Sequence, residues 1–235
     1  MVNTKTLCDN DPMTSQKAAL SYLPKMIRIL AKEVRQWKAP IVGTFAEGPH
    51  AAFKVLISTV LSLRTKDKTT EEASHRLFNL ADTPQKMLTL SASRIERTIY
   101  PVGFYRTKAK NILKICALLI EKYLGKVPGD LEELLALPGV GRKTANLVVT
   151  VAYKKPGICV DTHVHRISNR WGLVKTKTPE ETEMVLRKVL PEKYWIGYND
   201  LLVCFGQNLC SPISPHCGRC KLSLFCPKIS VKNFR

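Results

Sequence analysis

Four cysteines crowd into one short segment, "CSPISPHCGRCKLSLFC", at Cys210, Cys217, Cys220 and Cys226. The Cys-x6-Cys-x2-Cys-x5-Cys spacing, with Pro212, Pro215 and Gly218 between the thiols, excludes a regular helix and demands a wrapping loop. The N-terminal "MVNTKTLCDNDPMTSQ" is polar and lacks the apolar core of a secretion signal, so we expect a reducing compartment in which such cysteines hold a metal centre rather than disulfides. The candidates are zinc and an iron–sulfur cluster. Zinc ribbons usually pair two Cys-x2-Cys steps across a longer gap. Outer spacings of six and five within a single loop suit a bulkier centre better. Cys8, Cys116, Cys159 and Cys204 are scattered and read as small core hydrophobes.

The rest of the chain is patterned for helices. Phe53, Leu56, Ile57, Val60 and Leu61 fall at i, i+3, i+4, i+7 and i+8, and Ile112, Cys116, Leu119, Ile120 and Tyr123 repeat the pattern up to a stop at Gly125. "TPEETEMVLRKVLP" carries its own start and stop, with Thr178 as N-cap, Pro179 in the first turn, Glu181 three residues after the cap and Pro191 at the end. Alternation of the kind a strand needs is nowhere sustained, so the fold class is all-α with about ten helices. No stretch approaches the ~18 apolar residues of a membrane span.

Charge narrows the partner. Among 235 residues, 37 are Lys or Arg and 19 are Asp or Glu, a net charge of +18 that favours a polyanion. The segment "LPGVGRKTANLVV", Leu137 to Val149, is where phosphate is expected to bind. It is not a nucleotide loop, because its lysine follows Arg142 rather than a glycine and no strand precedes it. A helix, a "PGVG" turn and a second, buried helix remain; such a turn is either a tight helix–helix connection with no ligand or a site where backbone N–H groups hold a DNA phosphate without reading sequence. Lys143, in the first turn of that helix, reads as a phosphate-binding lysine or, more sharply, as an amine nucleophile. An amine attacks only when neutral, a state that neighbouring cations, a helix N-terminus and partial burial all favour. Asp161, after the apolar run "GICV", reads equally as a helix cap and as an ionised partner to an amine or a cationic sugar. A weak internal echo links "GFYRTKA" (Gly103 to Ala109) to "GVGRKTA" (Gly139 to Ala145), both glycine turns that feed a helix.

Taken together, "LPGVGRKTANLVVTVAYKKPGICVDTHVHRISNR" and the four-cysteine loop resemble the endonuclease III family of helix-hairpin-helix DNA glycosylases. The likeness runs from about Ala52 to Pro227. It implies a bilobal all-α fold, with a six-helix barrel domain over 45–154 and a second lobe built from 1–44 and 155–235. That second lobe would include a [4Fe–4S] loop at 210–226, ligated by the four cysteines. It implies a bifunctional DNA glycosylase and AP lyase of base excision repair, acting as a monomer on double-stranded DNA with damaged bases or abasic sites. Oxidised pyrimidines would be removed, with Lys143 as nucleophile and Asp161 as its partner, and the strand nicked 3′ by β-elimination. Gly139, Val140, Gly141, Arg142 and His163 would contact DNA. Arg64 stands where family members carry a glutamine that fills the gap left by the flipped base, and Phe104 stands where an apolar wedge is expected. Asp67 matches an acidic residue of the same segment. The alternatives are a mismatch-type or broader-range glycosylase, which Arg64 keeps open, and a non-catalytic DNA-binding module. The resemblance and the short N-terminal extension suit a cytoplasmic, nucleoid-associated enzyme of a bacterium or archaeon, with no membrane partner.

Overall fold

The computed structural model describes residues 12–37 and 40–235, the first four of these by backbone alone. The expectations that fall on residues 1–11, including Cys8 and most of the polar N-terminus, lie outside the described residues. Among the described residues every regular element is helical. The chain divides into two compact units, one from 40–157 and the other from the N-terminal segment together with 158–235.

In chain order the α-helices are α1 (Pro12–Glu33), α2 (Ala51–Ser62), α3 (Asp67–Leu80), α4 (Pro84–Leu88), α5 (Ala92–Ile99), α6 (Tyr105–Tyr123), α7 (Leu131–Leu135), α8 (Arg142–Leu147), α9 (Thr162–Arg170), α10 (Pro179–Val189) and α11 (Trp195–Asn208). Their ends follow local chemistry. Thr83, Ser91, Asp130 and Thr178 each accept a hydrogen bond from a first-turn N–H, satisfying donors that have no partner inside the helix. At α10 the Thr178 hydroxyl accepts from Glu181 N while Glu181 Oε2 accepts from Lys177 N, a reciprocal lock on the helix entry. At the far end of α6 the N–H of Gly125 reaches back to Leu119 O at 2.8 Å, and Leu124 is already left-handed at φ 54°.

In the unit 40–157, α2 is the central element and packs on α3, α6 and α8, while α5 and α4 cover α6. Val55, Leu56, Ile57 and Leu61 of α2 are fully buried, as are Ile112, Ile115, Cys116 and Leu119 of α6. Fully burying an aliphatic side chain is worth about 1.5–3 kcal/mol, so this stripe-on-stripe packing decides the arrangement. The helix after Lys143 is buried from Thr144 through Val151, as expected of a central helix. It does not stay α-helical: Val148–Ala152 forms a π-turn, with Lys155 N donating to Val149 O.

In the other unit, α1 lays Leu23, Met26 and Leu30 into a core with Val164 and Ile167 of α9, Trp171 just beyond it, and Tyr198, Leu202 and Phe205 of α11. Asn199 Nδ2 ties α11 to Cys159 O just before α9. The cysteine segment follows α11 as a loop with one short 3-10 turn, Cys217–Arg219. No helix among the described residues is long and apolar enough to cross a membrane.

Candidate active site and cysteine loop

The glycine turn is built as a hairpin between α7 and α8. Val140 N closes it by donating to Leu137 O at 3.1 Å, and Gly139 turns the chain at φ 78°. A side chain at Gly139 would be strained by that φ, and its Cβ would fall 2.6 Å from Nδ2 of Asn111 on α6. Gly141 is different: it is exposed and extended, it is the N-cap of α8 with no side-chain cap bond, and a Cβ there would meet nothing. Val140 is buried and anchors the turn, while Arg142 and Lys143 are half-buried in the first turn of α8. The sequence therefore sets Lys143 at a helix start, with its backbone held by buried Thr144 and Ala145.

Arg64 and Phe104 come together in the same unit. The Arg64 guanidinium lies 5.4 Å from the Phe104 ring centroid, and both residues are exposed. Both carry left-handed backbones, φ 52° and φ 57°, although neither is glycine. Beneath them lies a residue that sequence reasoning passed over. Lys108 is 6% exposed on α6, and its Nζ donates to Leu61 O, Leu63 O and Thr65 Oγ1. The signal was available: Lys108 sits four residues before Ile112, on the apolar stripe of its helix. Asp67 begins α3 half-buried.

In the other unit Asp161 is a real helix cap. Its Oδ1 accepts from His163 N at 2.8 Å and from Val164 N at 2.9 Å. The cap reading and the catalytic reading are compatible, since one oxygen makes both bonds. His163 lies close against α11, where a Cβ on Gly206 would come 2.3 Å from Nδ1, and Arg166 Nη2 lies 3.1 Å from the same nitrogen. His163 is thus half-buried packing as well as a proposed DNA contact.

All four clustered cysteines line one partly open recess with Trp171, Phe205, Leu209 and Leu222. Burial pushes the Cys220 thiol up to about 11 and Cys226 up to about 12, and raises Cys217. Thiolates in such a pocket need a compensating cation, which is what a ligated metal centre provides. Among the described residues no three His, Cys, Asp or Glu side chains gather tightly enough for one metal ion. Four thiols lining one recess are a donor set suited to a metal centre. Two arginines of α9 hold the loop. Arg170, 6% exposed, donates to Cys210 Sγ at 3.2 Å and to the carbonyls of Ser211 and Pro212 at 2.7 Å, and Arg166 Nη2 donates to Cys210 O at 2.8 Å. Lys221 of the loop pairs with Glu33 at 2.6 Å.

Residues 57–192 match the HhH-GPD superfamily of base excision DNA repair proteins. Endonuclease III of Thermotoga maritima is 54% identical over 174 residues, covering 74% of this chain and 82% of that protein. The chain belongs to the endonuclease III family. Endonuclease III homolog 2, chloroplastic, of Arabidopsis thaliana is 47% identical over 194 residues, and the chain spans 50% of its length. Among solved structures, endonuclease III in a trapped covalent DNA intermediate, the estranged-adenine complex, matches with a TM-score of 0.79 at 37% identity, covering 89% of this chain and 96% of that one.

As a member of the endonuclease III family the protein is a DNA glycosylase and AP lyase of base excision repair with the all-α helix-hairpin-helix fold, and it binds DNA. Its relatives include a bacterial and a chloroplastic protein, so kinship alone does not select a bacterial or archaeal source.

Proposed function

We propose that this enzyme excises oxidised pyrimidines, thymine glycol among them, from duplex DNA and nicks the resulting abasic site. Lys143 Nζ attacks C1′ of the damaged nucleoside, the glycosidic bond breaks and the base departs with a proton. The C1′–O4′ bond then breaks, O4′ takes a proton as the sugar ring opens, and the amine loses its protons as an imine forms with C1′. Loss of a C2′ proton from that imine expels the 3′ phosphate, which is the β-elimination. Asp161 stabilises positive charge on the sugar and takes or returns the protons. The observation that carries this reading is Lys143 in the first turn of a buried helix, behind a left-handed glycine hairpin. A relative of the same fold solved as a trapped covalent DNA intermediate supports covalent chemistry.

In the same reading Gly139, Val140, Gly141 and Arg142 clamp a backbone phosphate, His163 adds a contact from α9, and Arg64 and Phe104 occupy the stack that the flipped base leaves. Residues 45–154 serve as the six-helix barrel domain, and 1–44 with 155–235 as the lobe that carries the cluster. Cys210, Cys217, Cys220 and Cys226 hold a [4Fe–4S] cluster. When bound, the cluster supplies a redox-capable centre that cross-links the loop. The chain's own residues do the catalysis, as a monomer, in a cytoplasmic, nucleoid-associated setting.

Borohydride reduction of the enzyme on a thymine-glycol duplex tests the reading. A covalent adduct is expected, and Lys143→Gln should abolish it. Equal trapping by the variant removes Lys143 from the mechanism, and no trapping on any lesion leaves a DNA-binding module. Arg64 in place of glutamine favours a second, broader-range reading, so the assay is run over a lesion panel against each opposite base.

A further inference from the structure

Lys108 is a cation placed where its helix is otherwise core. It shares the buried face of α6 with Ala109, Ile112 and Ile115. Its three recorded acceptors are two carbonyls and a hydroxyl: Leu61 O at 2.9 Å, Leu63 O at 2.5 Å and Thr65 Oγ1 at 3.3 Å. Leu61 lies in the last turn of α2, where carbonyls have no partner within the helix. Leu63 and Thr65 flank Arg64, so the ammonium grips the chain on both sides of a left-handed residue. A non-glycine residue in that region costs on the order of 1–3 kcal/mol and persists only when its surroundings over-determine it.

The second loop is tied to the first. Gly103 N donates to Thr65 Oγ1 at 3.1 Å, the same hydroxyl that Lys108 uses. A Cβ on Gly103 would fall 2.5 Å from Arg64 O, so the two backbones meet at the closest distance a glycine permits. Phe104 follows at once, left-handed and 62% exposed, with Arg64 over its ring. A buried unit thus holds an exposed pair. Removing the ammonium alone would leave these buried acceptors without their donor, so the position of both loop backbones depends on Lys108.

We infer that Lys108 is a positioning residue for the Arg64–Phe104 pair: its buried ammonium joins the two loop backbones so that the pair meets the duplex as one preformed unit. The inference rests on the proposed reading that Arg64 and Phe104 enter the duplex. Holding such a constellation rigidly is what preserves its geometry on binding.

The test compares Lys108→Met, Arg64→Ala with Phe104→Ala, and all three changes combined. Lesion-duplex affinity and single-turnover excision are measured against each of the four opposite bases, with thermal unfolding to confirm the fold. Lys108→Met should weaken lesion binding roughly tenfold, and its opposite-base profile should match that of the Arg64→Ala, Phe104→Ala enzyme. In that background it should add nothing. If the Arg64 and Phe104 changes leave binding and profile intact, the reading that the pair enters DNA fails. If they act but Lys108→Met does not, or its effect adds in full, the positioning role fails. Should Lys108→Met not fold, Thr65→Val removes the shared hydroxyl and is judged by the same two criteria.

Discussion

Arg170 donates a hydrogen bond from Nη1 to the sulfur of Cys210, and the same guanidinium serves the next two carbonyls of the loop. Hydrogen bonds from a charged donor are worth about 1.5–3 kcal/mol each. If the loop holds the proposed [4Fe–4S] cluster, Arg170→Leu should weaken that hold. The expected outcome is a lower iron content and weaker visible cluster absorbance at equal protein concentration, with faster loss of colour under a chelator. Unchanged iron content and chelator resistance would show that Arg170 serves only the backbone.

The two hairpin glycines should respond in opposite ways. Gly139→Ala forces a Cβ into a left-handed position against Asn111 and should cost stability by more than ~1 kcal/mol. Gly141→Ala meets open space and should leave unfolding unchanged. If the hairpin clamps a phosphate, the new methyl stands where DNA must approach, and binding should fall for lesion and undamaged duplex alike. Denaturant titration and DNA affinity, measured on both variants, check the contrast.

Asp161 can be separated into its two roles. An asparagine side chain would still present an oxygen to His163 N and Val164 N, so Asp161→Asn should hold stability within about 0.5 kcal/mol, whereas Asp161→Ala should lose about 1 kcal/mol. Both variants lack the carboxylate, and both should lose roughly 100-fold or more in single-turnover excision. An Asp161→Asn enzyme with full activity would reduce Asp161 to a cap.

Lys108 makes stability depend on pH. Burial pushes its ammonium from an ordinary 10.5 down to about 8. Between those values the unfolded chain holds a proton that the folded chain has released, so stability rises with pH through this window. At ~1.36 kcal/mol per pH unit the gain is at most roughly 3 kcal/mol, and the carbonyl acceptors, which favour the ammonium, reduce it. Lys108→Met lacks this component. The difference between the two unfolding free energies, followed from pH 7 upward, should widen in favour of the lysine enzyme; a constant difference overturns the prediction.

Much of this architecture was legible because it is local. The stripes of α2, α6 and α10, the Thr178 cap and the Gly125 stop all lie within a few residues of the groups they serve, and the cysteine spacing carries its own geometry. What escaped depends on groups far apart in sequence. Lys108 meets Leu61 and Thr65, and Arg170 meets Cys210, only after the chain has folded. The left-handed backbones of Arg64 and Phe104 carry no residue-type signal, because glycine normally marks such positions. His163 reads from sequence as a DNA contact, and its packing on Gly206 emerges only once α9 and α11 come together. The π-turn at Val148–Ala152 likewise leaves no mark on an apolar run that an ordinary helix would satisfy.

α6 has a metric consequence. Lys108 holds the Arg64 loop, and Asn111, three residues on, lies under Gly139 of the hairpin. A helix advances about 1.5 Å per residue, so the anchor points of the two loops differ by only ~4.5 Å along one rigid rod. α6 is in that sense a ruler. An insertion or deletion between these two positions would rotate one anchor by about 100° relative to the other. Length changes beyond Leu119, near the Gly125 stop, would leave the gauge untouched. The part of this chain least able to change its length is therefore one turn of helix that carries none of the proposed chemistry.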